Sequence, residues 1–155
     1  EVEAEAHFLM GKVYYGENKP LKALSEFDVV AELMKGNDMA AYAIYWMAEV
    51  YFREGDFERA LSYYQDVIDH YPLNEYVPYA YYSQAWCYDR MGERAAAVDT
   101  LKKLLRDHSG SELAVKAKYK IGEIYYSGGE HRKAIEELSK FVSKYPLNEN
   151  IFDAY

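Results

Sequence analysis

At 155 residues the chain is long enough for one domain. Eighteen Lys and Arg against 26 Asp and Glu leave a net charge of −8, which repels a nucleic-acid backbone and an anionic membrane surface on average. Half of the residues are hydrophobic, but charged residues interrupt every apolar run and none approaches the ~20 apolar residues of a spanning helix, so direct membrane insertion of this segment is not expected.

In chain order, the pattern predicts eight helices in pairs. The first helix spans 3–16, with Gly11 and Tyr14 on its inner stripe, and a turn at Asn18 leads into a second helix over 20–34. Lys35-Gly36-Asn37-Asp38 closes this unit, with Asn37 or Asp38 available to cap the next helix. The third helix, 39–54, places Ile44, Met47, Ala48 and Tyr51 at i, i+3, i+4 and i+7, one face of an α-helix. Gly55 ends it, because glycine accepts the left-handed conformation of a helix terminus. Asp56 caps a fourth helix over 57–70, striped by Phe57, Ala60, Leu61, Tyr64, Val67 and Ile68, and Pro72 cannot continue it. The same reading gives helices at 76–91, 94–107, 112–127 and 131–144, with Ser109-Gly110-Ser111-Glu112 as a capping box before the seventh. Residues 151–155 begin a further helix that is cut off, so the segment reads as part of a longer array.

The landmarks recur every 37 residues: small residues at Gly11, Ala48, Ala85 and Gly122, then Tyr14, Tyr51, Tyr88 and Tyr125 three residues on. Asn18, Gly55, Gly92 and Gly129 follow at plus seven, Ala23, Ala60, Ala97 and Ala134 at plus twelve, and Phe27, Tyr64, Leu101 and Leu138 at plus sixteen. Tyr71-Pro72-Leu73-Asn74-Glu75 returns unchanged as Tyr145-Pro146-Leu147-Asn148-Glu149. A period of this size marks a solenoid in which each unit stacks on its neighbours. The small residues let the two helices of a pair approach closely, and a larger side chain there costs ~1–3 kcal/mol through overpacking. The tyrosine at plus three is expected to fill the space between one pair and the next.

Taken together, these positions resemble the tetratricopeptide repeat. The resemblance covers 1–155 as one array with units near 4–40, 41–77, 78–114 and 115–151. It implies an all-α right-handed superhelix of four antiparallel helix pairs plus a partial fifth. Three departures stand out. The period is 37, Val30, Val67, Leu104 and Phe141 occupy a position where the family often has alanine, and His7, Ile44, Tyr81 and Lys118 replace an early tryptophan. The longer unit with its Tyr-Pro ending is similar to bacterial cell-envelope members, such as the lipoprotein of the outer-membrane β-barrel assembly machine and the Tol–Pal coordinator. That style implies a periplasmic location, or the periplasmic face of the outer membrane; the alternative is cytoplasmic.

In this family the first helix of each pair lines a concave face. Subtracting the packing positions leaves Phe8, Lys12 and Tyr15 in the first unit, Tyr45, Glu49 and Phe52 in the second, Tyr82, Trp86 and Asp89 in the third, and Tyr119, Glu123 and Tyr126 in the fourth. Tyr42 and Tyr79 extend this strip, and Arg53 and Arg90 border it. Two readings of the rings compete: packing between neighbouring helices of a curved superhelix, or a groove that accepts a partner peptide or helix, since Tyr, Trp and Arg dominate interface energetics. The clamp that captures acidic chaperone C-termini needs Lys, Asn and Arg at these sites, and here they are mostly aromatic or acidic. The resemblance therefore implies a non-catalytic protein–protein interaction scaffold. A carbohydrate-binding or polysaccharide-secretion module, or a cytoplasmic scaffold or co-chaperone, are the alternatives.

No catalytic, cofactor or metal site is expected. His7, His70, His108 and His131 lie on different units without metal-ligand spacing, and the single Cys87 reads as a small packing residue.

Overall fold

The computed structural model describes residues 1–145. Among them lie eight α-helices and no strand: α1 Val2–Gly16, α2 Pro20–Leu33, α3 Asp38–Glu54, α4 Phe57–His70, α5 Val77–Arg90, α6 Arg94–Asp107, α7 Leu113–Ser127 and α8 His131–Lys144. Every predicted helix is present, with ends within one residue of expectation. The partial fifth unit, including the expected packing or self-association of Phe152 and Tyr155, lies outside the described residues.

Each helix packs on the next in sequence. In addition α1 touches α3 and α5 touches α7, whereas successive even-numbered helices do not approach to that extent. The layer whose members come closest lies on the inside of the curve, so the odd-numbered helices form the concave face and the even-numbered ones the convex face.

Local chemistry repeats with the packing. The turn inside each pair carries its one left-handed residue at the same register: Asn18 at φ 58°, Gly55 and Gly92 at 81°, and Gly129 at 76°. Asn18 suits this because Asn tolerates that region better than most side chains. Before α3, α5 and α7 a side chain at the same register bonds the backbone N–H two residues on. Asn37 accepts from Met39 N at 3.0 Å, Asn74 from Tyr76 N at 2.9 Å, and Ser111 from Leu113 N at 3.2 Å. The capping box expected at Ser109 and Glu112 does not form. Ser111 accepts from Leu113 N just before the helix, and Glu112 accepts from the hydroxyl of Tyr79. Asp56 caps α4 as expected, accepting from Arg59 N at 3.0 Å.

The plus-three tyrosines also have partners inside their own pair, while Tyr125 lies beside α6 of the preceding unit as expected. Tyr51 stacks on Tyr63 of its own pair at 5.3 Å, and Arg59 lies over it at 4.5 Å. Lys22 covers Tyr14 at 5.4 Å and Lys133 covers Tyr125 at 5.3 Å, again within the pair. The signal for this was a basic residue at plus eleven in three of the four units.

The glycines at the first landmark are there for space. A Cβ on Gly11 would sit 2.6 Å from the ring of Phe27, and one on Gly122 would sit 2.5 Å from the side chain of Leu138. The plus-sixteen side chain thus rests directly on the backbone of the preceding helix. Phe27 is fully buried, whereas Leu138 is only half-buried and can turn aside. Gly11→Ala is therefore expected to cost about 1–3 kcal/mol through overpacking, and Gly122→Ala less. Gly16→Ala, where an added Cβ meets nothing within 4 Å, is the control. Urea midpoints followed by far-UV circular dichroism give the ranking; equal midpoints for all three would refute the close approach.

Candidate functional site

The concave face is built from three seams, where consecutive odd-numbered helices meet. At each seam the residue just after the small landmark of one helix faces the residue two before the landmark of the next. Lys12 lies over the ring of Trp46 at 5.1 Å between α1 and α3. Glu49 accepts from the Ser83 hydroxyl at 3.1 Å between α3 and α5. Lys120 lies over Trp86 at 3.5 Å between α5 and α7.

The first seam is closed by its own cations. Tyr15 meets Trp46 edge-on at 5.2 Å, and the Arg53 guanidinium covers Tyr15 at 3.7 Å while donating to its backbone carbonyl at 2.6 Å. Phe8 packs on Phe27 at 5.8 Å. Trp46 joins the core clusters of the first two units, and its indole Nε1 is buried with no hydrogen-bond partner.

The third seam is also self-contained. Lys120 is only 7% exposed, yet its ammonium stacks on Trp86 and pairs with Asp89 at 3.1 Å and Glu123 at 3.8 Å. A lysine buried to this depth is tolerable only when its charge is answered, and here ring and carboxylates answer it together.

The middle seam differs. α3 and α5 approach less closely than the helices of the other two seams. A depression of about 420 Å³ opens there, lined by Tyr45, Trp46 and Glu49 of α3, by Glu75 and Tyr76 before α5, and by Tyr79. Tyr76 and Tyr79 face one another at 5.6 Å, and Tyr45 meets Tyr76 at 4.8 Å. A pair of hydrogen bonds repeats at the rim: Tyr42 donates to Glu75 at 2.9 Å and Tyr79 to Glu112 at 2.5 Å. At the floor Glu49 Oε1 accepts from Tyr64 at 2.6 Å as well as from Ser83, and the Tyr45 hydroxyl lies 3.3 Å from Ser83. Burial, and next the charge of Glu49, push the Tyr45 and Tyr64 hydroxyls far above 10.0. The same two causes push the fully buried Cys87 thiol up to about 12, so Cys87 is an inert packing residue, as expected.

The sequence-derived strip is therefore only partly a free surface. Tyr45 is 8% exposed and belongs to the core, because its ring is wedged among Tyr64, Tyr76 and Trp46; it forms the floor of the depression rather than standing free in it. Phe52 leans on Phe57, and Tyr119 on Phe141, each within its own pair. Tyr82 is half-buried, and burial raises its hydroxyl. Tyr79 at 37% and Tyr126 at 68% exposure stand in solvent, as do Lys12, Arg53 and Arg90. Tyr126 lies beside His131, away from the depression. Trp46, Glu75 and Tyr76 line the depression and were missed. Trp46 falls two residues before Ala48, a position the strip did not include, and Glu75 and Tyr76 stand at the expected start of the helix, ahead of the positions assigned to the strip. His108 lies just past α6, against Tyr81 at 5.9 Å. Among the described residues no group of three or more His, Cys, Asp or Glu could hold a metal, and no helix is long and apolar enough to cross a membrane.

Family models for the tetratricopeptide repeat match residues 38–107 and 116–148, together more than half of the chain. No curated protein matches it in sequence. Among solved structures the chain is similar to MamA, with a TM-score of 0.72 at 24% identity over 98% of this chain and 81% of that one. It is similar also to a tetratricopeptide repeat protein from Parabacteroides merdae, with a TM-score of 0.78 at 15% identity over 96% of this chain and 56% of that one. Aspartyl phosphate phosphatase F from Bacillus subtilis gives a TM-score of 0.77 at 18% identity, over 92% of this chain but 40% of that one. At these identities the likeness is one of fold.

Two outcomes follow from the electrostatics. Lys120→Met strands Asp89 against Trp86 and is expected to cost about 3 kcal/mol, within the range for removing one partner of a buried pair. Adding Asp89→Asn to Lys120→Met should recover part of that loss; additive losses in the double-mutant cycle would show the pair to be uncoupled. The Tyr45 and Tyr64 hydroxyls bind their protons more tightly folded than unfolded. Their contribution is thus full below about pH 10 and is lost as pH rises above it. The urea midpoint should fall as pH rises above about 10, and less steeply in Tyr64→Phe.

Proposed function

The chain belongs to the tetratricopeptide repeat family, whose members are generally non-catalytic scaffolds, and we propose that it holds a partner protein by a peptide or helix laid across its concave face. The observation that carries this reading is the depression at the middle seam: four aromatic rings and two carboxylates surround about 420 Å³ of open space. Rings of this kind bury much area at low entropic cost, which is the property of interface anchors. Tyr79 at the rim, with its hydroxyl tied to Glu112, is held in place before any partner arrives, and such preorganisation lowers the cost of association. We propose a bacterial envelope assembly as the setting, on the support of the Tyr-Pro-Leu-Asn-Glu loop style alone.

A photo-crosslinking residue at Tyr79, compared with one at the convex Lys102, tests the reading. In the native host the partner should be captured from position 79 and not from 102. Capture from 102 alone would move the binding surface to the even-numbered helices. Residues 1–155 fused to a signal-cleavage reporter, expressed with the native upstream sequence, would test the envelope setting.

A further inference from the structure

We infer that the depression between α3 and α5 is a receptor for a single cationic side chain, a lysine or arginine of an extended partner segment; the inference rests on the concave-face reading above and names what that face recognises. The argument comes from the chain's own repetition. At the two flanking seams a lysine sits on a tryptophan ring: Lys12 on Trp46 and Lys120 on Trp86. The second of these has the full set of groups, because Asp89 and Glu123 complete the ammonium's coordination by charge. The residue at the register of Lys120, one period of 37 earlier, is Ser83. The register of Trp86, one period earlier, is Glu49. At those two positions the middle seam therefore has a hydroxyl in place of the cation and a carboxylate in place of the ring, with tyrosine rings around them supplied from other positions.

What is left is a site with an unanswered charge. No basic side chain lines the depression. Glu49, half-buried, accepts two hydroxyls on Oε1, and neither Glu49 nor Glu75 makes an ion pair among the described residues. Hydroxyl donors stabilise a carboxylate without neutralising it, so a cation entering here meets an attraction that the fold has not spent on itself. The ring faces of Tyr76 and Tyr79 add the quadrupole attraction of aromatic groups for a cation, which strengthens as water is displaced. The chain's net charge of −8 draws a basic segment toward this surface at long range. The same electrostatics disfavour an acidic peptide, and nothing in the depression would hold its carboxylates.

The probes are fluorescein-labelled octa-arginine and octa-lysine, with octa-glutamate and an alternating Gly-Ser octapeptide as references, followed by anisotropy at physiological salt. The basic peptides should bind and the references should not. Glu49→Gln keeps an acceptor for Tyr64 and should weaken binding by roughly tenfold. Ser83→Lys restores a cation at the middle seam and should abolish binding by occupying the site from within. Glu58→Gln removes the same charge from the convex side and should leave affinity nearly unchanged. Circular dichroism confirms the fold of each variant, and the Trp46 indole resonance in ¹H–¹⁵N spectra should shift on adding octa-arginine. Equal losses for Glu49→Gln and Glu58→Gln, or an unmoved Trp46 indole, would overturn the inference, since binding would then follow net charge alone. Capture of a partner from position 79 that survives both Glu49→Gln and Ser83→Lys would leave the scaffold reading standing and remove this one. Capture only from position 102 would remove the scaffold reading itself.

Discussion

The contact of one side chain with one stretch of backbone governs the spacing of the array. At plus sixteen a large apolar residue of the second helix rests on the landmark glycine or alanine of the first, closely enough at Gly11 and Gly122 that even a methyl group would collide. Helix pairs joined at that distance have little freedom in their crossing, and a fixed crossing repeated every 37 residues fixes the superhelix. The seams of the concave face, and the partners that meet across them, follow from that geometry. This is why residues 34 apart, Lys12 with Trp46, Glu49 with Ser83 and Trp86 with Lys120, meet in the same way along the chain.

The excess of tyrosine divides into three uses. One set sits inside the pairs under basic residues at plus eleven, where the long aliphatic stems of Lys and Arg cover the ring and the charge remains in water. A second set ties consecutive units by hydroxyl-to-carboxylate bonds, Tyr42 to Glu75 and Tyr79 to Glu112. The third surrounds Glu49, where Tyr45 and Tyr64 supply apolar bulk and a hydroxyl near the same carboxylate. Tyrosine serves all three because it is large, has few rotamers and carries one polar atom at its tip.

The helices and their ends were legible because they depend on local rules: apolar periodicity, caps, and a left-handed residue at plus seven. The close approach at Gly11 was legible because small residues recurred in register. The concave surface was read less well. Its positions could be assigned by subtraction, but exposure depends on how far neighbouring helices stand apart, which no single unit encodes. Tyr45 was placed on the strip with packing or a groove left open, and it lies at 8% exposure because Tyr76, just before α5, crosses it. Trp46 was given no role, although it faces two seams at once and lines the depression. The basic residues at plus eleven were not read as partners of the plus-three tyrosines, since each contact depends on the neighbouring helix.

A solenoid built from near-identical units has to differ somewhere along its length to bind at one place. Here the repeat geometry is uniform while the chemistry at the seams is not. The outer two seams use a lysine of the chain to answer the face of a tryptophan, so their attraction is spent internally. At the middle seam Glu49 and Ser83 leave a carboxylate served only by hydroxyls, and the backbones stand further apart with aromatic rings around the gap. The same register that makes two seams structural therefore makes the third receptive. A ligand for that seam is selected by the charge the chain lacks there, and its position along the array is set by Ser83 standing at the register of Lys120.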